Sequence, residues 1–494
     1  MIHNICEEIN EGKNVRENLI QLNQLIKTDK DLDVFLDEYY EYETCFIGLL
    51  DDEDAKVRKN IVKLLGKVGD PVLLKPLFEH YQAENTQFLK ADYLAAMASF
   101  EYETYLPQLK ERRETLEGQE RTKHSIEEMK QLQKLIWKLE PPKKHTFYKK
   151  DRNENILLIV PRGHEAAVME EIQKIPDTEG KAIAGGCLVK TGHLDMVAKI
   201  RTYQAILFDF YPKTIHSFEG ADIGKEIMEG GLVDFIQKRH KESHAFLFRV
   251  DIKGVKDMTK KNQMARTLSL YVEEHSDGRM INESSMYEVE IRVIAGAKGV
   301  RVFLKLSAMK DERFMYRKYA MATSMQPAKA ALMMHYLKPY MKEEANILDP
   351  FCGTGTLLIE RAFAGAYKSL YGLDISGQAV QAAWENSQRA KKVLNLVQRN
   401  FNDFKHEYTF DEIITDMPRQ SAHMKYKQLE YLYQLLFVRS RELMAEKAVM
   451  AIYCEDAQMM ERCLNENKWL TRVKKIPMSK DQTSWLYILR KLYN

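Results

Sequence analysis

The string Asp349-Pro350-Phe351-Cys352-Gly353-Thr354-Gly355-Thr356 constrains this chain more than any other feature. It continues a short apolar run, NILDPF, that reads as a buried strand, and it leads into TLLIERAFAGA, which has helical spacing. Two glycines at such a turn let the backbone bend sharply and approach a ligand. Ligands of open α/β sheets bind at the carboxyl ends of the strands. No Gly-Lys-Ser/Thr follows, so the string is not a P-loop, and its spacing is not the dinucleotide GxGxxG.

Strict alternation surrounds it from about residue 326. SLYGLDI, NLVQRN, DEIITDM and KAVMAIY read as further strands. GQAVQAAWENSQRAKKV, KYKQLEYLYQLLFVRSRELM and AQMMERCLNEN read as the helices between or after them. WLTRVKKIPM and SWLYILRKLYN form a terminal antiparallel pair. Short strands alternating with longer helices predict a parallel, Rossmann-like α/β sheet wound on both faces.

The rest of the chain is organised differently. Its 494 residues exceed one core, so two to four domains are expected. Residues 1 to about 145 read as all-α, with Val57, Ile61, Leu64, Leu65 and Val68 at helical spacing. The stretch from Asp51 to Tyr81 pairs two amphipathic helices around Gly69-Asp70-Pro71 and resembles a HEAT repeat, with a weaker copy at 85–109. An irregular helical bundle is the alternative. Residues 141–155 read as a linker, or as a basic contact for phosphates through Lys143, Lys144, Lys149, Lys150 and Arg152. Residues 150–320 read as α+β, with strands at NILLIVP, AFLFRVDI, YEVEIRVIA and VRVFLKLSA and helices at HEAAVMEEIQKI and MARTLSLYVEEH.

The net charge of +2 neither demands nor excludes nucleic acid; any footprint for it is a local patch. No apolar run approaches the ~20 residues of a membrane span. The first residues carry early acids and no apolar signal core, and the six cysteines are scattered without a CxxC pair. A cytoplasmic protein with neither disulfides nor a zinc site is expected.

Four strand ends carry the candidate chemistry. Asp349, Phe351, Gly353, Thr354, Gly355 and Thr356 form the first. Asp374 ends the second, where an acid accepts both hydroxyls of an adenosine ribose or, alternatively, caps a helix. At the third, Asp403 is placed to accept from the adenine amino group, and Phe401 or Phe404 to pack on the ring. At the fourth, Asp416, the carbonyl of Met417 and Pro418 can grip the hydrogens of an exocyclic amine, whose lone pair is otherwise delocalised into its ring.

In this order these motifs resemble class I methyltransferases that use S-adenosylmethionine. The nearest group acts on the 2-amino group of guanine in tRNA or rRNA and carries a THUMP domain. The resemblance covers about residues 155–494. It includes Pro161, Arg162, Gly163 and Glu165, the segment Ala184 to Arg201, the basic-aromatic stretch Arg313 to Lys318, and Ser324 to Ala328. It implies a THUMP-containing RNA-binding region over 150–320, a methyltransferase domain over 321–494, and Gln326 and Pro327 beneath the methionine end of the cofactor. The sulfonium activates the methyl group, so no metal is implied. One departure stands out: Arg419 replaces the aromatic that stacks on the target base, a role a guanidinium plane can also fill. The resemblance therefore implies an RNA methyltransferase with tRNA or rRNA as partner. A weak or inactive RNA-binding scaffold, with the N-terminal helices docking a protein, is the alternative. Methylation of DNA adenine or protein glutamine uses similar fourth-strand chemistry.

Overall fold

Apolar side chains at helical spacing build the first of two units. This computed structural model describes residues 2–26, 28–119, 122–148, 153–421 and 424–492. The chain divides into compact units at 1–143 and 144–494. In the first unit the helix Ala55–Val68 buries Val57, Ile61, Leu64 and Leu65 on one face. Asp54 caps it by accepting from the Lys56 N–H, and Gly69 ends it in the left-handed region at φ 68°. Asp70 then caps a short 3-10 turn, and the chain re-enters a helix at Leu74–Ala83. The break and return recur at 87–117, through the helices Gln87–Met97 and Leu106–Glu117.

In the second unit, segment 144–148 is docked, contrary to the expected linker. His145 is buried. Its backbone N–H donates to Glu288 Oε1 at 2.7 Å, and its ring Nδ1 lies 2.8 Å from Oε2. The imidazole stacks on Phe246 with centroids 3.9 Å apart. Thr146 donates to Glu242, and Phe147 bridges to His240. Of the basic cluster proposed as a phosphate contact, Lys149, Lys150 and Arg152 lie outside the described residues.

An eight-stranded sheet follows, ordered Thr178–Ile183, Gly186–Thr191, Glu154–Ile159, Ala205–Ile215, Gly299–Leu306, Val289–Gly296, Phe246–Lys253, Met280–Asn282. The four expected strands and both expected helices are present. Of the other four, Gly186–Thr191 lies in the Ala184–Arg201 segment of the family resemblance, and three have no counterpart in the sequence reading. Thr178–Ile183 is an exposed edge strand and carries no buried face to produce alternation. Ala205–Ile215 contains Pro212 and changes register on its neighbour between Phe208 and Tyr211 and again before Ile215. Proline is tolerated in a sheet at such irregular places. Met280–Asn282 is only three residues long.

The C-terminal sheet has seven strands. In chain order these are Asn346–Asp349, Ser369–Asp374, Asn395–Gln398, Phe410–Asp416, Met444–Cys454, Leu470–Pro477 and Trp485–Lys491. Their spatial order is third, second, first, fourth, fifth, seventh, sixth. The first five run parallel; the seventh is antiparallel to both of its neighbours. Strand order reverses between the first and fourth strands, so a crevice opens at their carboxyl ends. Among the described residues no helix is long and apolar enough to cross a membrane.

A fragment beginning at Lys144 should unfold as a single cooperative unit carrying both sheets. One beginning at Asn153 removes His145 and leaves the buried Glu288 carboxylate without its partner, which costs about 1–3 kcal/mol. Urea denaturation of the two fragments checks this. Equal midpoints would show that segment 144–148 is dispensable.

Candidate active site

Three carboxylates meet where three neighbouring strands end. Asp349 and Asp374 close the adjacent first and second strands, and Asp416 closes the fourth, which pairs with the first. Burial pushes the Asp349 carboxyl up to about 8, although it accepts the Phe351 N–H at 3.1 Å; Asp416 and Asp374 push in the same direction. Asp416 is raised to about 7, again by burial first, against the opposing pull of Arg419 and Lys329.

The glycine loop is built around Asp374. Its Oδ2 accepts the Gly353 N–H at 3.0 Å and its Oδ1 the Ser376 N–H at 2.8 Å. Both readings of this residue thus apply, because it also tethers the start of the next helix. Each oxygen keeps a second lone pair for a ribose hydroxyl. Gly353 has φ 52°, and a Cβ there would meet nothing within 4 Å, so the loop faces open space. Gly355 has φ 79° and sits 3.2 Å, measured from a built Cβ, from Ala383. It also starts the helix Thr356–Ala364. Ile375, next to Asp374, is 74% exposed.

Other expected residues are distributed around this loop. Gln326 is the exposed N-cap of the helix Pro327–Leu337, and Pro327 is buried in its first turn. Ser324 Oγ lies 3.1 Å from Thr354 Oγ1, which brings this helix start to the loop. Phe351 packs edge-on against Phe401. Phe401 and Phe404 are core residues, 2% and 3% exposed, so neither offers an open ring face to adenine. Asp403 is exposed at the rim, where it accepts from the Asn402 side chain at 3.2 Å.

At the fourth strand, Met417 is buried and its N–H donates to the Tyr453 carbonyl at 2.9 Å. This fixes the backbone before Pro418. Arg419 is engaged by acids: it lies 3.5 Å from Asp416 and 3.1 Å from Glu455. Two acids thus hold the guanidinium, while the side chain stays 37% exposed. Lys329 reaches the same place through Tyr453 Oη at 3.1 Å. Three buried oxygens here, Asp416 Oδ1, Thr415 Oγ1 and Thr356 Oγ1, have no hydrogen-bond partner among the described residues. A buried acceptor left open is costly unless a ligand completes it.

Asn386 escaped the sequence reading. It has no exposed surface. Its Oδ1 accepts the N–H groups of Lys318 and Tyr319, both at 3.1 Å. Its Nδ2 donates to the carbonyls of Tyr319, at 2.9 Å, and Thr354, at 3.1 Å. One amide thereby ties the crossover between the two sheets to the glycine loop. Asn386→Asp keeps the two acceptor contacts and loses both donor contacts. It should lower unfolding stability by about 1–3 kcal/mol and weaken ligand binding at the loop. Calorimetric titration with S-adenosylhomocysteine, beside a thermal melt, checks this; an unchanged affinity would show that the Thr354 contact does not shape the loop.

Residues 315–483 match the UPF0020 family model, described as RMKL-like, methyltransferase domain. The ribosomal protein L11 methyltransferase of Ruminiclostridium cellulolyticum is 29% identical over 147 residues, covering 28% of this chain and 46% of that protein. The tRNA (guanine(10)-N2)-dimethyltransferase of Methanothermobacter thermautotrophicus is 28% identical over 145 residues, covering 29% and 42%. The chain thus spans less than half the length of these curated relatives. The crystal structure of TrmN from Thermus thermophilus shares the fold over 69% of this chain and 100% of that one, with a TM-score of 0.53 and 16% identity. That coverage exceeds what the C-terminal sheet alone supplies and extends into the upstream sheet. Family match, strand order and glycine loop together make residues 315–483 an S-adenosylmethionine-dependent methyltransferase domain.

Proposed function

We propose that the whole chain is an RNA methyltransferase acting on the 2-amino group of a guanine in tRNA or rRNA, in the cytoplasm. On this reading the upstream sheet includes a THUMP-like RNA-binding region, and the N-terminal helices form a HEAT-like array for a protein partner. The observation that carries the chemistry is Asp416 Oδ1, a buried acceptor at the end of the fourth strand without a partner among the described residues. S-adenosylmethionine, when bound, supplies a methyl group already activated on a sulfonium. Asp374 holds its ribose, and the open face at Gly353 admits it. Ile375 offers an apolar surface beside the ribose. Asp416 and the Met417 carbonyl accept the two amine hydrogens and turn the nitrogen lone pair toward the methyl group. Pro418 fixes that carbonyl. Holding the amine in line supplies most of what such a transfer needs.

The guanine reading draws on the archaeal tRNA enzyme among the relatives and on the upstream fold shared with TrmN. The bacterial relative that acts on ribosomal protein L11 defines the competing outcome. Incubation with methyl-labelled cofactor and, separately, tRNA, rRNA or ribosomal protein decides between them. Label is expected in N2-methylguanosine after RNA digestion. Label confined to protein would overturn the RNA reading.

The site's own electrostatics give a further test. An amine-gripping Asp416 must be ionised, so single-turnover transfer should rise with pH through about 7. Asp416→Asn should cut transfer about 10²–10³-fold while leaving cofactor affinity nearly intact. Arg419 holds the Asp416 carboxyl down, so Arg419→Ala should move the rise to higher pH. Asp374→Ala should instead weaken cofactor binding by about 1.5–3 kcal/mol. A pH profile unaffected by either change at 416 or 419 would remove Asp416 from the transfer step.

A further inference from the structure

A second cavity, of about 870 Å³, lies between the upstream sheet's helices and the methyltransferase domain. It is separate from the cofactor site. Met334 and Phe363, which line it, each lie seven residues into helices whose first turns face the glycine loop. Seven residues of helix span about 10 Å.

Its charges are arranged in an uneven way. Lys174 and Lys199 enter from the upstream lobe, just after the helices Glu165–Ile172 and Leu194–Val197. Lys338 and Lys474 enter from the methyltransferase domain, after Leu337 and on the strand Leu470–Pro477. The carboxylates in the wall have partners of different kinds. Glu360 takes two hydrogen bonds from Arg201, both at 2.8 Å, and Glu171 takes the Thr202 hydroxyl at 2.6 Å. Glu170 lies 3.4 Å from His335. None of the four lysines has an ion pair among the described residues, and all four are exposed. The apolar part of the wall includes Met196 and Phe363, 38% and 39% exposed.

We propose that this cleft holds the phosphate backbone of a single-stranded segment of the RNA substrate, away from the methylated nucleotide. The proposal rests on the RNA reading above. Ammonium groups converging from two lobes neutralise successive phosphates, and exposed apolar side chains between them give a base somewhere to rest. Glu360 is neutralised by Arg201, and the four lysines outnumber Glu170 and Glu171. Because each lobe contributes two lysines, a bound strand also bridges the lobes.

The test uses the full-length chain, labelled unfractionated tRNA and fluorescence anisotropy over a salt series. The variant is Lys174→Glu with Lys338→Glu, one change on each lobe. The control is Lys130→Glu with Lys134→Glu on the helix Lys123–Leu139, an equal charge change outside the cleft. Calorimetric S-adenosylhomocysteine affinity should be unchanged in both, which reports an intact fold. The cleft variant should bind tRNA about tenfold or more weakly, with a shallower dependence of log Kd on log salt by about 1.5. The control should lose less and keep more of the slope. Wild-type tRNA binding that the cleft variant reproduces in affinity and slope overturns the cleft while leaving the RNA reading in place. Equal losses in both variants overturn it as well, since charge alone would then account for them. Absence of tRNA binding by the wild-type chain overturns both.

Discussion

The carboxylate of Glu360 has no exposed surface and is held from two directions. Arg201, from the upstream lobe, donates to both of its oxygens, and Tyr316, on the crossover, donates to Oε1 at 2.7 Å. Arg201 also donates to the Arg313 carbonyl and lies over the Phe363 ring. Glu360 sits on the helix that begins at Gly355, so the upstream lobe is bonded directly to the helix of the glycine loop. A buried ion pair is not a cheap source of stability, because both charges are desolvated. Breaking one by removing a single partner is expensive, about 3–5 kcal/mol. The pair therefore acts as a constraint on register. Its two lobes hold one relative position or they strand a charge.

The same scarcity of solvent governs the reacting end of the sheet. Asp349 and Asp416 both hold their protons more tightly when folded than in an unfolded chain. Stability linked to them is fully present below the ordinary carboxylate value of 3.8, and it is lost as pH rises through about 7 and about 8. The fold thus carries a cost near neutral pH at the place where a cationic, hydrogen-bonding ligand belongs. Lys329 and Arg419 offset part of it at Asp416. At Asp349 the hydrogen bond from the Phe351 N–H opposes burial, and its position beneath the loop suits a structural acceptor for Phe351.

The C-terminal fold was legible because its signals are local. Apolar strands, helical spacing and the two-glycine turn each occupy a short window, and the seven strands follow from them. Asp349, Asp374 and Asp416 were legible for the same reason, as acids at strand ends. What could not be read depends on pairs far apart in sequence. Asn386 joins 318–319 to 354, and Lys329 influences Asp416 across the sheet. A lone Asn in a helix and a lone Lys in a first turn carry no mark of this. Phe404 was misplaced because periodicity does not tell which side of a loop faces the core. Segment 144–148 looked like a linker by composition, yet a single buried histidine, with a carboxylate 143 residues away, pins it to the sheet.

Arg419 shows how a departure from a family pattern can be read in two ways until its neighbours are known. As a stacking plane it would need a free face above the target base. Glu455 and Asp416 hold it, and its guanidinium carbon lies 5.8 Å from the Tyr453 ring. Two acids and one ring orient it toward the strand end. In that position its charge lowers the Asp416 carboxyl, which burial alone would leave protonated further into the alkaline range. An aromatic there would stack well and leave Asp416 more often neutral. A neutral carboxyl offers one oxygen as donor where the proposed amine substrate would need an acceptor. On the RNA reading proposed above, the arginine at this position adds control of the acceptor's ionisation.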